Sequence, residues 1–266
     1  MRVGRLAAAA LLGILGAGCT KSPSESANRE TGPVADIRER TEPQEPSMLS
    51  LLDNHEYRTR SVAAREQPVS HLVVLLHGFG ADCTDLEAVA RALGASSPHA
   101  EFLLLEGLEA APGGQGRQWF SLAGITSENR PARVAAAGET VSAWIDRELI
   151  RRGLRAEQLV VGGFSQGAIL TGWLVTARFV APPAAALMLS GRFTGTPVAA
   201  KLSTPGFIGH GARDPVIPGA EGEQAATALS ARGAAVTKRV YPALAHGIGP
   251  DELRDVQAFL RDHGVR

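Results

Sequence analysis

The sequence is poor in cysteine, with only Cys19 and Cys83 among 266 residues. The part of the chain that we expect to fold therefore has no internal pair for a disulfide, and its core alone has to make it stable. Cys83 also lacks the surroundings typical of a nucleophile, so we interpret it as a small structural side chain.

An excess of one charge is also missing, because Lys and Arg together number 27 and Asp and Glu together number 27. The basic residues are scattered rather than gathered into a stripe, which argues against nucleic acid as a partner. With 44% hydrophobic and 20% charged residues, the composition is that of an ordinary globular protein. We find no internal repeat, which favours one folded domain.

The amino-terminal apolar run, residues 6–18, is too short to span a bilayer as a permanent helix. It follows Arg2 and Arg5 in the order typical of an export signal. Small residues lead into Cys19, which resembles the lipobox of bacterial lipoproteins, although Gly16 stands where leucine is usual. We predict a lipoprotein-type signal peptide over 1–18 with a lipid anchor at Cys19. The alternative is ordinary signal cleavage that leaves a free cysteine.

Within the segment 19–55, residues 20 to about 45 are polar, with several prolines and serines and almost nothing apolar to bury. This composition predicts a flexible linker ahead of a folded domain at 56–266. We therefore expect an exported protein of a bacterial cell envelope, in the periplasm or at the outer membrane. Its only contact with a membrane would be the lipid anchor.

Short apolar runs alternate with stretches of helical periodicity along the predicted domain. This alternation predicts an α/β fold, with a mostly parallel sheet and helices on both faces. In such sheets the active groups gather at the carboxyl ends of the strands. The predicted strands are 71–76, 102–105, 159–161, 186–189, 206–208 and 236–241, and the predicted helices are 86–93, 132–150, 166–180, 222–229 and 252–260.

A candidate nucleophile stands in the sequence Gly163-Phe164-Ser165-Gln166-Gly167, between a predicted strand and a predicted helix. This is the context of a nucleophile elbow, a tight turn that exposes the serine hydroxyl at the start of a helix. The glycines are needed because strand and helix approach closely there. Backbone N–H groups at the start of the helix favour developing negative charge.

Serine needs a base to remove its proton, and the base needs a carboxylate to orient it. On this fold the chain order is serine, acid, histidine. Three histidines follow Ser165: His210 precedes every candidate acid, and His263 lies in the charged tail, which leaves His246. The carboxylates between Ser165 and His246 are Asp214, Glu221 and Glu223, and only Asp214 follows a strand in a turn. The predicted triad is Ser165, Asp214 and His246.

An oxyanion hole requires two aimed backbone donors. The elbow supplies the N–H of Gln166, and the loop after the first predicted strand, His77-Gly78-Phe79-Gly80, supplies the N–H of Phe79. We interpret His77 as a structural residue that braces this loop.

With these segments in order, together with His210 to Pro218 and Ala245-His246-Gly247, the chain resembles the phospholipase/carboxylesterase family, which includes the acyl-protein thioesterases. The resemblance covers roughly residues 70–262. It implies an α/β-hydrolase fold without a large lid domain, no metal and no organic cofactor. The export signal departs from the cytosolic thioesterases.

Aromatic side chains bury apolar chains well, so Trp119 and Phe120 are candidates for an acyl pocket. The alternative is that they pack under the long loop 106–118.

The expected function is that of a serine carboxylesterase acting on small to medium acyl esters, with a small-molecule ester as substrate. A lysophospholipase or acyl thioesterase is the nearest alternative, and neither a peptidase nor a lactonase is excluded. A tethered binding protein that lacks catalysis on a hydrolase fold is an alternative of another class.

Overall fold

The computed structural model describes residues 58–179, 181–194 and 201–266. The signal peptide predicted over 1–18, the anchor at Cys19 and the linker predicted over 19–55 lie outside these residues.

A seven-stranded sheet runs through the middle of the described chain in the order β1-β3-β2-β6-β7-β8-β9. All neighbouring pairs are parallel except β1 with β3, which are antiparallel. The small strands β4 and β5 form a separate antiparallel pair. The strands are β1 Thr59–Val62, β2 His71–Leu76, β3 Ala100–Leu105, β4 Glu109–Ala110, β5 Arg117–Gln118, β6 Leu159–Phe164, β7 Ala185–Leu189, β8 Gly206–Gly211 and β9 Val236–Tyr241.

The described chain contains five α-helices, four between strands and one after the last strand, and they correspond to the five predicted helices. The α/β architecture with a mostly parallel sheet, predicted from the alternation, is thereby confirmed. The helices are α1 Glu87–Gly94, α2 Arg130–Arg152, α3 Gln166–Ala177, α4 Gly219–Ser230 and α5 Pro250–Asp262.

The apolar runs are continuous because both faces of the central strands are covered. Side chains alternate between faces along β2: Leu72, Val74 and Leu76 pack with α2 and α3, whereas Val73 and Leu75 pack with α1 and α5 on the other face. Each of these five side chains is almost completely buried. The resulting two-sided core fixes the strands whose ends carry the site.

The carboxyl ends of the parallel strands meet at one edge of the sheet. The loop after β2 contains His77 to Gly80, β6 leads into Ser165, β8 leads to Asp214 and β9 leads to His246. Residues distant in sequence therefore reach one another there. No helix in the described part of the chain is long and apolar enough to cross a membrane.

Candidate active site

Ser165 occupies a strained turn between β6 and α3, with φ 54° and ψ −113°. A Cβ atom on Gly163 would lie 2.4 Å from the carbonyl carbon of Gly167, and one on Gly167 would lie 2.0 Å from the carbonyl oxygen of Leu76. Only glycine fits at both positions, as the predicted nucleophile elbow requires. The turn is held further by the N–H of Ser165, which donates to the carbonyl of Leu189 at 2.9 Å.

The three candidate triad residues form one chain of hydrogen bonds. His246 Nδ1 lies 2.7 Å from Asp214 Oδ2, and His246 Nε2 lies 2.9 Å from Ser165 Oγ. An ionised carboxylate only accepts hydrogen bonds, so the imidazole proton belongs on Nδ1. The lone pair of Nε2 then faces the serine hydroxyl, which is the arrangement needed to remove its proton.

Asp214 is held as a carboxylate by several donors. Its Oδ1 accepts hydrogen bonds from the N–H groups of Val216 at 2.8 Å and Ile217 at 2.9 Å. Burial by itself would raise the pKa of Asp214, but the hydrogen bonds from His246 and from these two N–H groups outweigh it, and the pKa is lowered. Asp214 is therefore ionised at neutral pH.

A second histidine, His210, also reaches Asp214, although its place in the chain before every candidate acid argues against it as the base. Its Nε2 donates to the carbonyl oxygen of Ile217 at 2.8 Å and lies 3.4 Å from Asp214 Oδ2. The ring is buried at the end of β8, packed against Gly222. Its position four residues before Asp214 is the one signal of this contact in the sequence.

The two other carboxylates between Ser165 and His246 lie elsewhere. Glu221 forms an ion pair with Arg192, and Glu223 forms one with Lys238. Of the three candidate acids, only Asp214 contacts His246.

The N–H groups of Phe79 and Gln166 are free to bind an oxyanion, because neither donates to an acceptor among the described residues. The loop that carries Phe79 runs beside the serine: a Cβ atom on Gly78 would lie 3.5 Å from Cβ of Ser165. Gln166 is the first residue of α3, directly after Ser165. Both donors therefore belong to segments adjoining the serine.

His77 braces the loop through backbone contacts. Its Nδ1 donates to the carbonyl of Gly78 at 2.7 Å, and its Nε2 accepts from the N–H of Gly107 at 2.9 Å. Burial lowers the pKa of His77, which keeps the ring in the neutral form that this pattern needs. These contacts agree with a structural role.

The Gln166 side chain links the elbow to the neighbouring loop, a contact that the sequence did not reveal. Its Oε1 accepts from the N–H of Trp119 at 2.8 Å, and its Nε2 donates to the carbonyl of Phe120 at 2.8 Å. The side-chain amide of Gln166 thus provides hydrogen-bond partners for the buried N–H of Trp119 and the buried C=O of Phe120.

A cleft of about 340 Å³ opens above Ser165 and His246. Its walls are mostly apolar, with two arginines among them. The other lining residues are Phe79, Phe120, Leu122, Ile125, Arg130, Gln166, Ile169, Arg192, Val216 and Ile217.

Trp119 does not line this cleft, and its place in an acyl pocket stays a prediction. Trp119 is almost fully buried under the loop, and its indole Nε1 donates to the carbonyl of His77 at 2.8 Å. This position agrees with the alternative interpretation, in which Trp119 packs under the loop 106–118. Phe120, by contrast, does line the cleft.

Cys83 lies away from the cleft, with its thiol 3.7 Å from Glu106 Oε2. Burial and the charge of Glu106 raise the pKa of this thiol, which disfavours the reactive thiolate. Within the described ranges, no three His, Cys, Asp or Glu side chains cluster as metal ligands would.

The fold and the site define the class of protein, an α/β-hydrolase with a serine at the nucleophile elbow. Residues 58–264 match the model of the phospholipase/carboxylesterase family, and the chain belongs to that family.

Relatives of this chain include esterases and thioesterases. Esterase YpfH of Escherichia coli strain K12 is 33% identical over 209 residues, covering 76% of this chain and 85% of that protein. Acyl-protein thioesterase 1 of Saccharomyces cerevisiae is 29% identical over 224 residues, covering 75% of this chain and 96% of that protein. The crystal structure of esterase PE8 is 26% identical with a TM-score of 0.70, covering 77% of this chain and 98% of that one. The protein is accordingly a serine hydrolase that acts on esters.

Proposed function

We propose that the protein is a carboxylesterase for small to medium acyl esters, with Ser165 as nucleophile, His246 as base and Asp214 as the residue that orients the base. The observation that carries this proposal is the hydrogen-bond chain from Ser165 Oγ through His246 to Asp214 at the floor of the cleft.

The reaction proceeds in two halves. The Ser165 hydroxyl attacks the ester carbonyl while His246 takes its proton, and the imidazolium then protonates the departing alcohol to leave an acyl-serine. Water, deprotonated by His246, attacks the acyl-serine and releases the carboxylic acid and the free serine. Asp214 stabilises the imidazolium in both halves.

The oxyanion of each tetrahedral intermediate accepts hydrogen bonds from the N–H groups of Phe79 and Gln166. The free state of these donors and the nearness of both segments to Ser165 support this role. Their preorganisation avoids a reorganisation cost when the charge develops.

The size of the cleft supports a small or medium substrate, since about 340 Å³ lies at the small end of ligand pockets. Phe120 and Ile169 supply apolar surface for an acyl chain. A thioester substrate is the second candidate, because one relative is named acyl-protein thioesterase 1 and the same acyl-serine serves both reactions. A lysophospholipid is a further ester of this chemistry.

For the location of the protein, we propose export by the signal over 1–18 and lipidation of Cys19 at a bacterial cell envelope. The order of charged and apolar residues and the small residues before Cys19 support it. In cells, C19S should move the protein from the membrane to the soluble fraction. Unchanged membrane association in C19S would refute lipidation at this residue.

The triad is tested by labelling the full-length chain with a fluorophosphonate, followed by peptide mapping, alongside hydrolysis of nitrophenyl esters of increasing acyl length. We expect the fluorophosphonate to label Ser165 and the protein to hydrolyse nitrophenyl esters with short and medium acyl chains but not those with longer chains. Both the labelling and the hydrolysis should be lost in S165A. A folded protein that neither labels nor turns over any ester would instead support the binding-protein alternative.

A further inference from the structure

Two arginines stand among the apolar walls of the cleft above Ser165. Arg130 begins α2, and Arg192 follows β7. A guanidinium is charged at neutral pH and costs free energy to remove from water unless it is paired. Simple alkyl esters supply no charge that would pair with it.

The two arginines differ in their partners. Arg192 Nη1 lies 3.1 Å from Glu221 Oε1, so its charge is balanced. Arg130 has no ion pair within 4.0 Å and no side-chain hydrogen bond to any residue of the described ranges. Burial and the charge of Arg192 lower the pKa of Arg130, and the charges of Glu221 and Glu128 partly oppose this. Among the described residues, Arg130 is therefore the one guanidinium of the cleft without an ion pair within 4.0 Å.

A structural role accounts for another arginine of the same helix but not for Arg130. Arg133 Nη1 donates to the carbonyls of Ser121 at 2.7 Å and Ala123 at 2.8 Å, and so holds the loop that enters α2. The Arg130 guanidinium makes no comparable contact with the described residues, and Arg130 lines the cleft, so its five N–H donors are available to a ligand.

We propose that the cleft selects esters that carry one negative charge, a carboxylate or a phosphodiester, and that Arg130 binds this group beside the Arg192–Glu221 pair. The proposal rests on the esterase function proposed above and specifies its substrate class. One anion would supply the ion-pair partner that Arg130 lacks, and a guanidinium binds either oxyanion through two parallel hydrogen bonds. The apolar walls would hold the remainder of the ester.

Three pairs of esters, each with one charged and one neutral member, test the proposal and identify the source of the anion. The acyl-side pair is para-nitrophenyl hydrogen adipate and its methyl ester. The alcohol-side pair is para-acetoxybenzoate and its methyl ester. The phosphodiester pair is the butyrate ester of glycerol methyl phosphate and that of glycerol dimethyl phosphate, which is neutral. For each pair, the quantity measured is the ratio of kcat/KM for the charged ester to kcat/KM for the neutral one.

In at least one pair we expect kcat/KM of the full-length enzyme to be about tenfold or more higher for the charged ester than for the neutral one. A ratio of this size corresponds to the strength of a hydrogen bond to a charged group. R130Q should reduce that ratio to near one, and R130K should retain part of it. R151Q is the matched control, because Arg151 belongs to the same helix but faces solvent in a pair with Glu148. It should leave the ratio unchanged.

Ratios near or below one in all three pairs, or equal ratios in R130Q and R151Q, would overturn the proposal. If the neutral esters are still hydrolysed and S165A abolishes their hydrolysis, the proposed esterase function survives that result. Absence of turnover with every ester would overturn both proposals.

Discussion

His210 Nε2 lies 3.4 Å from Oδ2 of Asp214, the same oxygen that accepts the hydrogen bond from His246. The stronger contact of His210 is to the carbonyl of Ile217 at 2.8 Å, and the N–H of Ile217 in turn donates to Asp214. His210 thus holds the turn that contains Ile217, and this turn positions the carboxylate of Asp214. It acts on the site as a positioning residue.

Replacing His210 tests this role through a matched pair of variants. H210F keeps a ring but removes the donor, so the buried carbonyl of Ile217 loses its partner. We expect the free energy of unfolding to fall by about 1–3 kcal/mol and kcat to fall by roughly tenfold. H210Q can place an amide N–H near the position of Nε2 and should recover most of kcat. Equal kcat in H210F and the parent would refute the positioning role.

Asp214→Asn should be far more damaging to catalysis. The asparagine carbonyl can still accept from Val216 and Ile217, but its NH2 group would face His246 Nδ1 and favour the wrong tautomer. We expect kcat to fall by about 10³- to 10⁴-fold with little change in fold, measured by steady-state kinetics and circular dichroism. Glu223→Gln is the control, since Glu223 pairs with Lys238 away from the cleft. A mild effect of Asp214→Asn would assign the orienting role to another group.

Gln166→Met separates the two contributions of residue 166. The variant keeps the backbone N–H proposed for the oxyanion hole but leaves the N–H of Trp119 and the C=O of Phe120 unpaired. We expect a loss of roughly 1–3 kcal/mol of unfolding free energy per group and a higher KM, because Phe120 lines the cleft.

Gln118→Met is the control for this substitution, because Gln118 is also a buried glutamine but bonds to Glu109 and Ala110 outside the cleft. It should lower stability and leave KM unchanged. The same KM in both variants would show that the Gln166 side chain has no influence on the substrate.

Glu252 makes the stability of the fold depend on pH. It is completely buried at the start of α5, its Oε1 has no hydrogen-bond partner, and burial raises its pKa to about 7. Asp255 adds to this increase, and the N–H of Gly249 opposes it. The folded state therefore holds a proton that the unfolded state releases above the ordinary glutamate pKa of 4.5.

The free energy of unfolding should accordingly decrease as pH rises from about 4.5 to about 7. Above that range, the ionisation of Glu252 should not decrease it further. The loss amounts to at most roughly 3 kcal/mol. Urea unfolding of Glu252→Gln should show a gain over the parent at about pH 8 and little difference at about pH 5. A gain of equal size at both pH values would contradict the assigned pKa.

The sequence predicts the interior of this fold better than its edges. The strands β2, β6 and β8 are recognisable because burial on both faces makes them continuous apolar runs. The edge strand β1 is missed, since Thr59–Val62 is polar and mostly exposed. Its strand conformation depends on pairing with β3.

For the site, chain order and strand ends are enough to select Ser165, Asp214 and His246, which the structure places in hydrogen-bond contact. Their catalytic roles stay predictions. The direction in which Trp119 points cannot be read from its type, because an aromatic residue suits a core as well as a pocket. Arg130 is not recognisable as a cleft residue either, because its position depends on the path of the loop before α2.

The lack of space at Gly167, where an added Cβ atom would lie 2.0 Å from the carbonyl oxygen of Leu76, limits where this enzyme can vary during evolution. No side chain can be added at the elbow without displacing the central strand. Phe79, Leu122 and Val216, at the rim of the same cleft, are between 38% and 60% exposed. New substrate preferences can therefore arise by single substitutions at the rim while the reacting centre is inherited unchanged.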